Sequence, residues 1–308
     1  MTLLLGAGLL VLAVGAWLLL PRHLASSAWP TRAPVTALQL WQASLFTGLL
    51  ALLGAGALLG LRPLDADVPH AVLAAMDGRL PLRVGTFLGA VSGAALILTV
   101  AVALAVLVES VRELRYTRWR WSRQRTLLDL VATTHPEWPG VSVLEHPVPV
   151  AYSFPGRPPR VVLSRGVFAE LTPAQIRAVL AHERAHLQQR HHLVALPFAV
   201  ARRSRARRAC RAYEEVAGLL EMCADDAVRR RHGNWALMSA LVHMTESASG
   251  FRTPPGSLAA ADRRCVDRVW RLVDSAPRPR WLPAAGHVAA IGLLSTPLAA
   301  IAVPCLLL

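Results

Sequence analysis

The sequence predicts an α-helical multi-pass membrane protein with four spans and one α+β domain between the third and fourth spans. Hydrophobic residues make up 54% of the 308 residues, and the mean hydropathy of +0.41 is high for a soluble protein. Four apolar runs approach the roughly 20 residues that a membrane-spanning helix needs. The predicted spans are residues 1–20, 37–61, 84–108 and 282–308, and the predicted domain is 109–281.

The first apolar run is predicted to be a retained span and not a cleaved signal peptide. It has no basic stretch in front of it, and its first charged residue, Arg22, follows the run. Arginine exceeds the acidic residues in 21–36 and in 109–281, whereas the two balance in 62–83. Since basic residues are enriched in cytoplasmic loops, we expect a cytoplasmic domain and both termini outside. The absence of Lys is typical of a high-GC bacterial genome, so the predicted location is a bacterial cell membrane.

Helices and short strands are predicted within 109–281, where Pro and Gly separate the strand-like runs. The predicted strands are 141–145, 148–153 and 160–164. The predicted helices are 114–131, 210–232, 235–247 and 262–273, with a loop at 252–257. The apolar stretch 193–200 is too short to cross a membrane. It either extends the preceding helix into the core, which we favour, or rests on the membrane surface.

The pattern H-E-x-x-H is formed by His182, Glu183 and His186. Residues four apart share one face of a helix, so the two imidazoles face one metal ion with a carboxylate beside it. Zinc hydrolases use this arrangement, with the Glu as general base. Thr172 and Gln175 predict a capping box at the start of this helix. A solvated helix face with incidental His residues is the alternative interpretation.

A third ligand is predicted on the helix 210–232, because zinc hydrolases use three protein ligands and leave a fourth position for water. Glu221 and Asp225 are four residues apart and share a face. Glu221 is the candidate ligand, and Asp225 is the candidate partner for the other ring nitrogen of a ligand His. The alternatives are another carboxylate as ligand (Glu214, Glu215 or Asp226) or an acidic cluster that only balances the arginines 229–231.

The two motifs together resemble those of the gluzincin membrane proteases. The sequence is most similar to the BlaR/MecR-type peptidases, with the HtpX-like proteases as relatives, over residues 84–308. The resemblance implies an α+β gluzincin-like domain that binds Zn²⁺ through His182, His186 and Glu221. It also implies that Glu183 is the general base and that Asp225 contacts the ring nitrogen of a ligand His that does not bind the metal.

The resemblance implies a membrane-embedded zinc metalloendopeptidase that acts on a protein or peptide. We favour a regulatory protease that cleaves a cytosolic, BlaI-like winged-helix repressor, and self-cleavage is left open. An HtpX-like quality-control protease and a catalytically silent membrane scaffold are the alternatives. BlaR/MecR-type sensors carry a penicillin-binding domain with a Ser-x-x-Lys nucleophile. Because the sequence contains no Lys, we expect a short form without that sensor.

The substrate is expected to lie extended along an edge strand near 160–164, by strand addition. The sequence leaves the oxyanion donor open between Tyr213, His191, His192 and His232.

The basic run 201–208 favours contact with the lipid bilayer or plain solvation, and we expect no direct nucleic-acid binding. The four Cys form no C-x-x-C pair, so neither a disulfide framework nor a Cys-type zinc site is predicted.

Overall fold

The computed structural model describes residues 2–60, 87–249, 257–274 and 281–306. The chain divides into two compact units. The first comprises Met1–Ser110 and Pro279–Leu308, and the second comprises Val111–Arg278. The predicted connection 62–83 and most of the predicted loop 252–257 lie outside the described residues.

The first unit consists of helices. In chain order they are α1 Thr2–Val14, a π-helical segment Gly15–Leu19, α2 Leu20–Ser26, α3 Trp29–Arg32, α4 Pro34–Gly60, the first part of α5 Phe87–Val131, and α12 Leu282–Leu306. Among the described residues, four helical stretches are long and apolar enough to cross a membrane. They are Leu3–Ser26, Pro34–Gly60, Gly89–Val131 and Leu282–Ala302. All four predicted apolar runs are therefore helical in their described parts.

Small residues bring the helices of the first unit close together. Helix α4 packs against both α1 and α12. In its contact with α1, Ala51 and Ala55 are fully buried beside Leu9 and Ala13. A side chain added at Gly54 would lie 2.7 Å from the end of the Ile301 side chain of α12, which would then have to shift, so α4 and α12 approach each other closely at this glycine. Such small-residue contacts are typical of helices that pack within a bilayer.

Helix α5 is longer than expected. The third apolar run and the basic helix predicted at 114–131 form one helix of 45 residues, Phe87–Val131. No Pro or Gly occurs between Gly93 and Val131, so nothing in the sequence interrupts the helix where the apolar run ends. Its apolar part leaves large side chains uncovered, with Ile97 72% and Leu98 65% exposed.

A mixed four-stranded sheet forms one side of the second unit. The strands are β1 Ala132–His135, β2 Trp138–Leu144, β3 Ala151–Phe154 and β4 Arg160–Ser164, in the spatial order β1-β2-β4-β3. Strand β2 is parallel to β4, and both outer pairs are antiparallel. Strand β4 has the predicted bounds, whereas β3 begins later than the predicted 148–153. Pro149 has no N–H to donate, and Val150 bonds to Ser164 at the end of β4.

The position of β4 corrects the prediction of an edge strand at 160–164. Strand β4 lies between β2 and β3, so both of its backbone edges are already paired. The edge strand on this side of the sheet is β3. The sequence identified the strand but not its place in the sheet, because β2 pairs with β4 and not with β3, the strand that follows it in the chain.

Further helices follow the sheet in the chain, and the first two of them contact its strands. They are α6 Arg165–Glu170, α7 Pro173–Gln188, α8 His191–Arg202, α9 Arg207–His232, α10 Trp235–Ser249 and α11 Ser257–Val273. Ile176, Val179 and Leu180 of α7 pack on Val161 and Leu163 of β4, which places one face of α7 in the core.

One part of the favoured interpretation of 193–200, that the stretch extends the preceding helix, is wrong. Arg190 has φ 50°, in the left-handed region, and this residue separates α7 from α8. The apolar stretch therefore belongs to a helix of its own, in which Phe198 is buried.

Candidate metal centre

Helix α7 presents its two His residues from within its third and fourth turns. Thr172 caps the helix, with its Oγ1 accepting from the Gln175 backbone N–H at 3.4 Å, while Gln175 Oε1 accepts from the Thr172 N–H at 2.8 Å. The predicted capping box is thus confirmed. Because α7 is anchored by this cap and by its buried apolar face, His182 and His186 have a fixed backbone.

Three side chains converge at one point between α7 and α9. His182 Nε2 lies 3.1 Å from His186 Nε2 and 3.3 Å from Glu221 Oε2, and His186 Nε2 lies 3.5 Å from Glu221 Oε1. The three residues form a group whose ligand atoms all lie within 4.8 Å of one another. In a tetrahedral zinc site with bonds of about 2.0–2.1 Å, ligand atoms lie about 3.4 Å apart. Two imidazoles and a carboxylate at these spacings fit a zinc ion.

Asp225 lies behind His182, as the spacing of Glu221 and Asp225 led us to expect. Its Oδ1 is 3.1 Å from His182 Nδ1, although the angle is not that of a well-formed hydrogen bond. Asp225 is fully buried. A buried carboxylate at this distance favours a proton on Nδ1, which leaves the Nε2 lone pair for a metal.

Arg268 of α11 neutralises the two carboxylates. Its Nε and Nη2 donate to Asp225 Oδ2 and Oδ1 at 2.8 and 2.7 Å, and its Nη1 is 3.2 Å from Glu221 Oε2. This residue is not among those predicted from the sequence. Arg268 is distant in sequence from both acids, and the only available signal was that buried carboxylates require a cation.

The imidazoles of His182 and His186, the two candidate ligands, differ in their electrostatic surroundings. Burial opposes the charge on His182, but Asp225 and Glu221 raise its pKa to about 9. Burial lowers the pKa of His186 to about 4, and burial likewise lowers the pKa of His191 to about 4. In the metal-free site, a proton at neutral pH is therefore held on His182 and not on His186.

Glu183 lines a cavity of about 470 Å³ together with the candidate metal ligands His182, His186 and Glu221. Burial raises the pKa of the Glu183 carboxyl, and hydrogen bonding to Ser153 acts in the opposite direction. Ala151, Tyr152 and Ser153 of the edge strand β3 line the same cavity. A carboxylate of raised pKa is a stronger base than an exposed one, which suits the abstraction of a proton from water.

The candidates for the oxyanion donor lie in different places. His191 and His192 line the cavity. Tyr213 lies under the Arg202 guanidinium at 4.1 Å and is not among the cavity-lining residues. The side chain of His232 lies outside the described residues.

Among the alternative ligands, Asp226 is paired with Arg271 at 2.8 Å, and Glu214 and Glu215 do not belong to the His182–His186–Glu221 group.

A family comparison covers the first part of this site. Residues 116–208 match the model of peptidase family M48. No curated protein and no solved structure gives a significant match to the chain. The M48 match contains His182, Glu183 and His186 but ends before Glu221 and Asp225, so the place of those two residues rests on geometry alone. With the apolar helices, the M48 match supports a membrane-associated metalloprotease, and the His–His–Glu group supplies ligands that such an enzyme needs.

Proposed function

We propose that the protein is a membrane-anchored zinc metalloendopeptidase whose metal is held by His182, His186 and Glu221. The observation that carries the proposal is the convergence of these three ligand atoms at a cavity that Glu183 also lines. The M48 match over 116–208 supports the same class of enzyme independently of Glu221.

The roles of the residues follow from their positions. When bound, zinc would lower the pKa of a bound water towards neutrality and polarise the peptide carbonyl. The Glu183 carboxylate accepts the proton of the attacking water and later passes it to the nitrogen of the leaving amine. Asp225 holds the His182 ring, and Arg268 holds Asp225 in turn.

The substrate is proposed to bind as an added strand on β3. One edge of β3 pairs with β4, and the strand lies at the end of the described sheet. Three of its four residues line the cavity that holds Glu183. An extended peptide that pairs with β3 would therefore run past the metal ligands, with its main chain held by backbone hydrogen bonds.

We further propose that the domain faces the cytoplasm and that its substrate is a cytosolic transcriptional repressor. The placement of the domain between the third and fourth apolar helices supports this regulatory role, together with the excess of arginine in 109–281. Proteomic mapping of new N-termini would test it: a cleaved DNA-binding repressor is expected, whereas cleavage of misfolded membrane proteins alone would contradict it.

Two substitutions in the purified full-length protein test the enzymatic mechanism. Glu183→Gln should abolish peptide cleavage and leave zinc binding intact, because the residue is a base and not a ligand. Glu221→Ala should lose zinc, whereas Glu214→Ala, an exposed position on the same helix, should keep both zinc and cleavage. Metal content and cleavage of a quenched peptide are the measurements. Undiminished cleavage by Glu183→Gln would overturn the mechanism, and zinc retained by Glu221→Ala would overturn the ligand set.

A further inference from the structure

His186 has a partner on the side of its ring that faces away from the other ligands. Its Nε2 points to His182 and Glu221, and its Nδ1 lies 2.8 Å from Nδ1 of His191. The two rings meet edge to face, with centroids 4.7 Å apart. His191 is therefore not a fourth metal ligand, because it contacts the nitrogen of His186 that faces away from the metal group.

The backbone between α7 and α8 brings His191 into this position. Arg190 in the left-handed conformation ends the turn, and His191 is the first residue of α8. His191 is only 6% exposed. Its other ring nitrogen, Nε2, lies 3.2 Å from Oε1 of Gln189. Both nitrogens of His191 are thus engaged, which leaves it no free donor for an oxyanion in the cavity.

The direction of each hydrogen bond can be derived from both ends of this chain of contacts. At one end, Gln189 Oε1 is an acceptor, so His191 Nε2 must carry the hydrogen and donate it. A neutral imidazole carries one hydrogen, so His191 Nδ1 accepts. At the other end, a metal ion needs the lone pair of His186 Nε2, which places the hydrogen of His186 on Nδ1. Both ends therefore give the same bond between the two rings, in which His186 Nδ1 donates and His191 Nδ1 accepts.

We infer that His191 is a positioning residue that sets the tautomer and ring orientation of the zinc ligand His186, and that Gln189 in turn orients His191. Each ligand imidazole then has a separate partner, with Asp225 behind His182 and His191 behind His186. This inference rests on the proposed function, since it assumes a metal ion at the His182–His186–Glu221 group. It assigns His191 a structural task that the M48 match does not state.

The test is zinc affinity, measured by chelator competition with the full-length protein in detergent. His191→Leu removes the acceptor and should weaken zinc binding about 10- to 100-fold, the usual cost of losing such a partner. His191→Asn places an amide oxygen near the former Nδ1 and should restore binding to within about threefold of the unmodified protein. The visible spectrum of the Co²⁺-substituted protein should change in His191→Leu and return in His191→Asn.

Gln189→Leu provides a graded comparison. Gln189 is exposed, so water can replace its acceptor, and zinc binding should weaken less than in His191→Leu.

Equal zinc affinity of His191→Leu and the unmodified protein would overturn the inference. So would an Asn variant as weak as the Leu variant, since packing alone would then explain both. If the unmodified protein itself binds no zinc, the proposed function fails instead. Thermal unfolding of the metal-free variants separates misfolding from loss of affinity.

Discussion

At the scale of single residues, the pKa of His182 would couple the proposed metal binding to pH. Its pKa in the metal-free protein is raised to about 9 by Asp225 and Glu221, against the effect of burial. A metal can bind only the neutral imidazole, so zinc must displace this proton. His186, with a pKa of about 4, is already neutral above pH 5 and adds no such dependence.

The apparent affinity for zinc should therefore rise with pH up to about 9 and level off above it. Below that pKa, one displaced proton corresponds to about a tenfold gain in affinity for each pH unit. Chelator competition at pH 6.5, 7.5 and 8.5 measures the slope, and titration calorimetry in buffers of different ionisation enthalpy counts the released proton. Asp225→Asn should flatten the slope because it removes the carboxylate that holds the proton. A constant affinity across this range in the unmodified protein would contradict the assignment.

Predictions for single residues were right where the residues concerned lie close together in the sequence. The capping box of Thr172 and Gln175 and the four-residue spacing of His182 and His186 lie within one helix, so sequence alone locates them. Arg268 could not be found this way, because its partner Asp225 lies on another helix and no spacing rule joins the two. His191 was considered only as an oxyanion donor. The left-handed Arg190 that turns it towards His186 has no clear signal in the sequence.

At the scale of elements, α11 is attached to α9 by ion pairs with buried acids. Arg268 binds Asp225 and Arg271 binds Asp226, at 2.7 and 2.8 Å, and the acids are 0% and 3% exposed. Asn234 also donates to the Leu272 carbonyl at 2.7 Å. Helix α11 thereby supports the helix that carries Glu221.

Arg268→Met should destabilise the second unit by up to roughly 3–5 kcal/mol, because it removes the two hydrogen bonds of the guanidinium to the buried Asp225 and leaves only the protonated His182 beside that carboxylate. Adding Asp225→Asn to the same chain should recover part of that loss, since the buried charge that lost its arginine is then removed. Thermal unfolding of the metal-free protein, followed by tryptophan fluorescence, measures both effects. Arg230→Met, which removes an arginine of α9 that is not among the ion-paired residues described, is the control and should change the unfolding temperature little. An Arg268→Met protein as stable as the control would show that the pair contributes nothing.

Element-scale prediction was less complete for the sheet than for the helices. Helices depend on contacts within one segment, so α9 and α10 were predicted with their ends displaced by a few residues. Strand order depends on pairings between distant segments, and the parallel pairing of β2 with β4 was not visible in either strand. The prediction that 160–164 forms an edge was wrong for this reason, and it moves the proposed substrate strand to β3.

At the scale of the whole molecule, the proposed activity depends on the side of the membrane that the second unit faces. Composition alone predicts this: arginine exceeds the acidic residues in 21–36 and 109–281, and 62–83 is balanced. Helix α5 joins the apolar and basic parts of the chain without a break, since no Pro or Gly interrupts it between 94 and 131.

Cysteine labelling of intact cells tests the orientation directly. In a chain whose four Cys are replaced by Ser, a cysteine at Ser204, which is exposed between α8 and α9, should react with a membrane-impermeant maleimide only after the membrane is opened. A cysteine at Asp65, in the predicted outer connection, should react in intact cells. Labelling of the Ser204 position before permeabilisation would place the metal centre outside the cytoplasm. A cytosolic repressor could then not reach Glu183, and an extracytoplasmic polypeptide would be the substrate to seek.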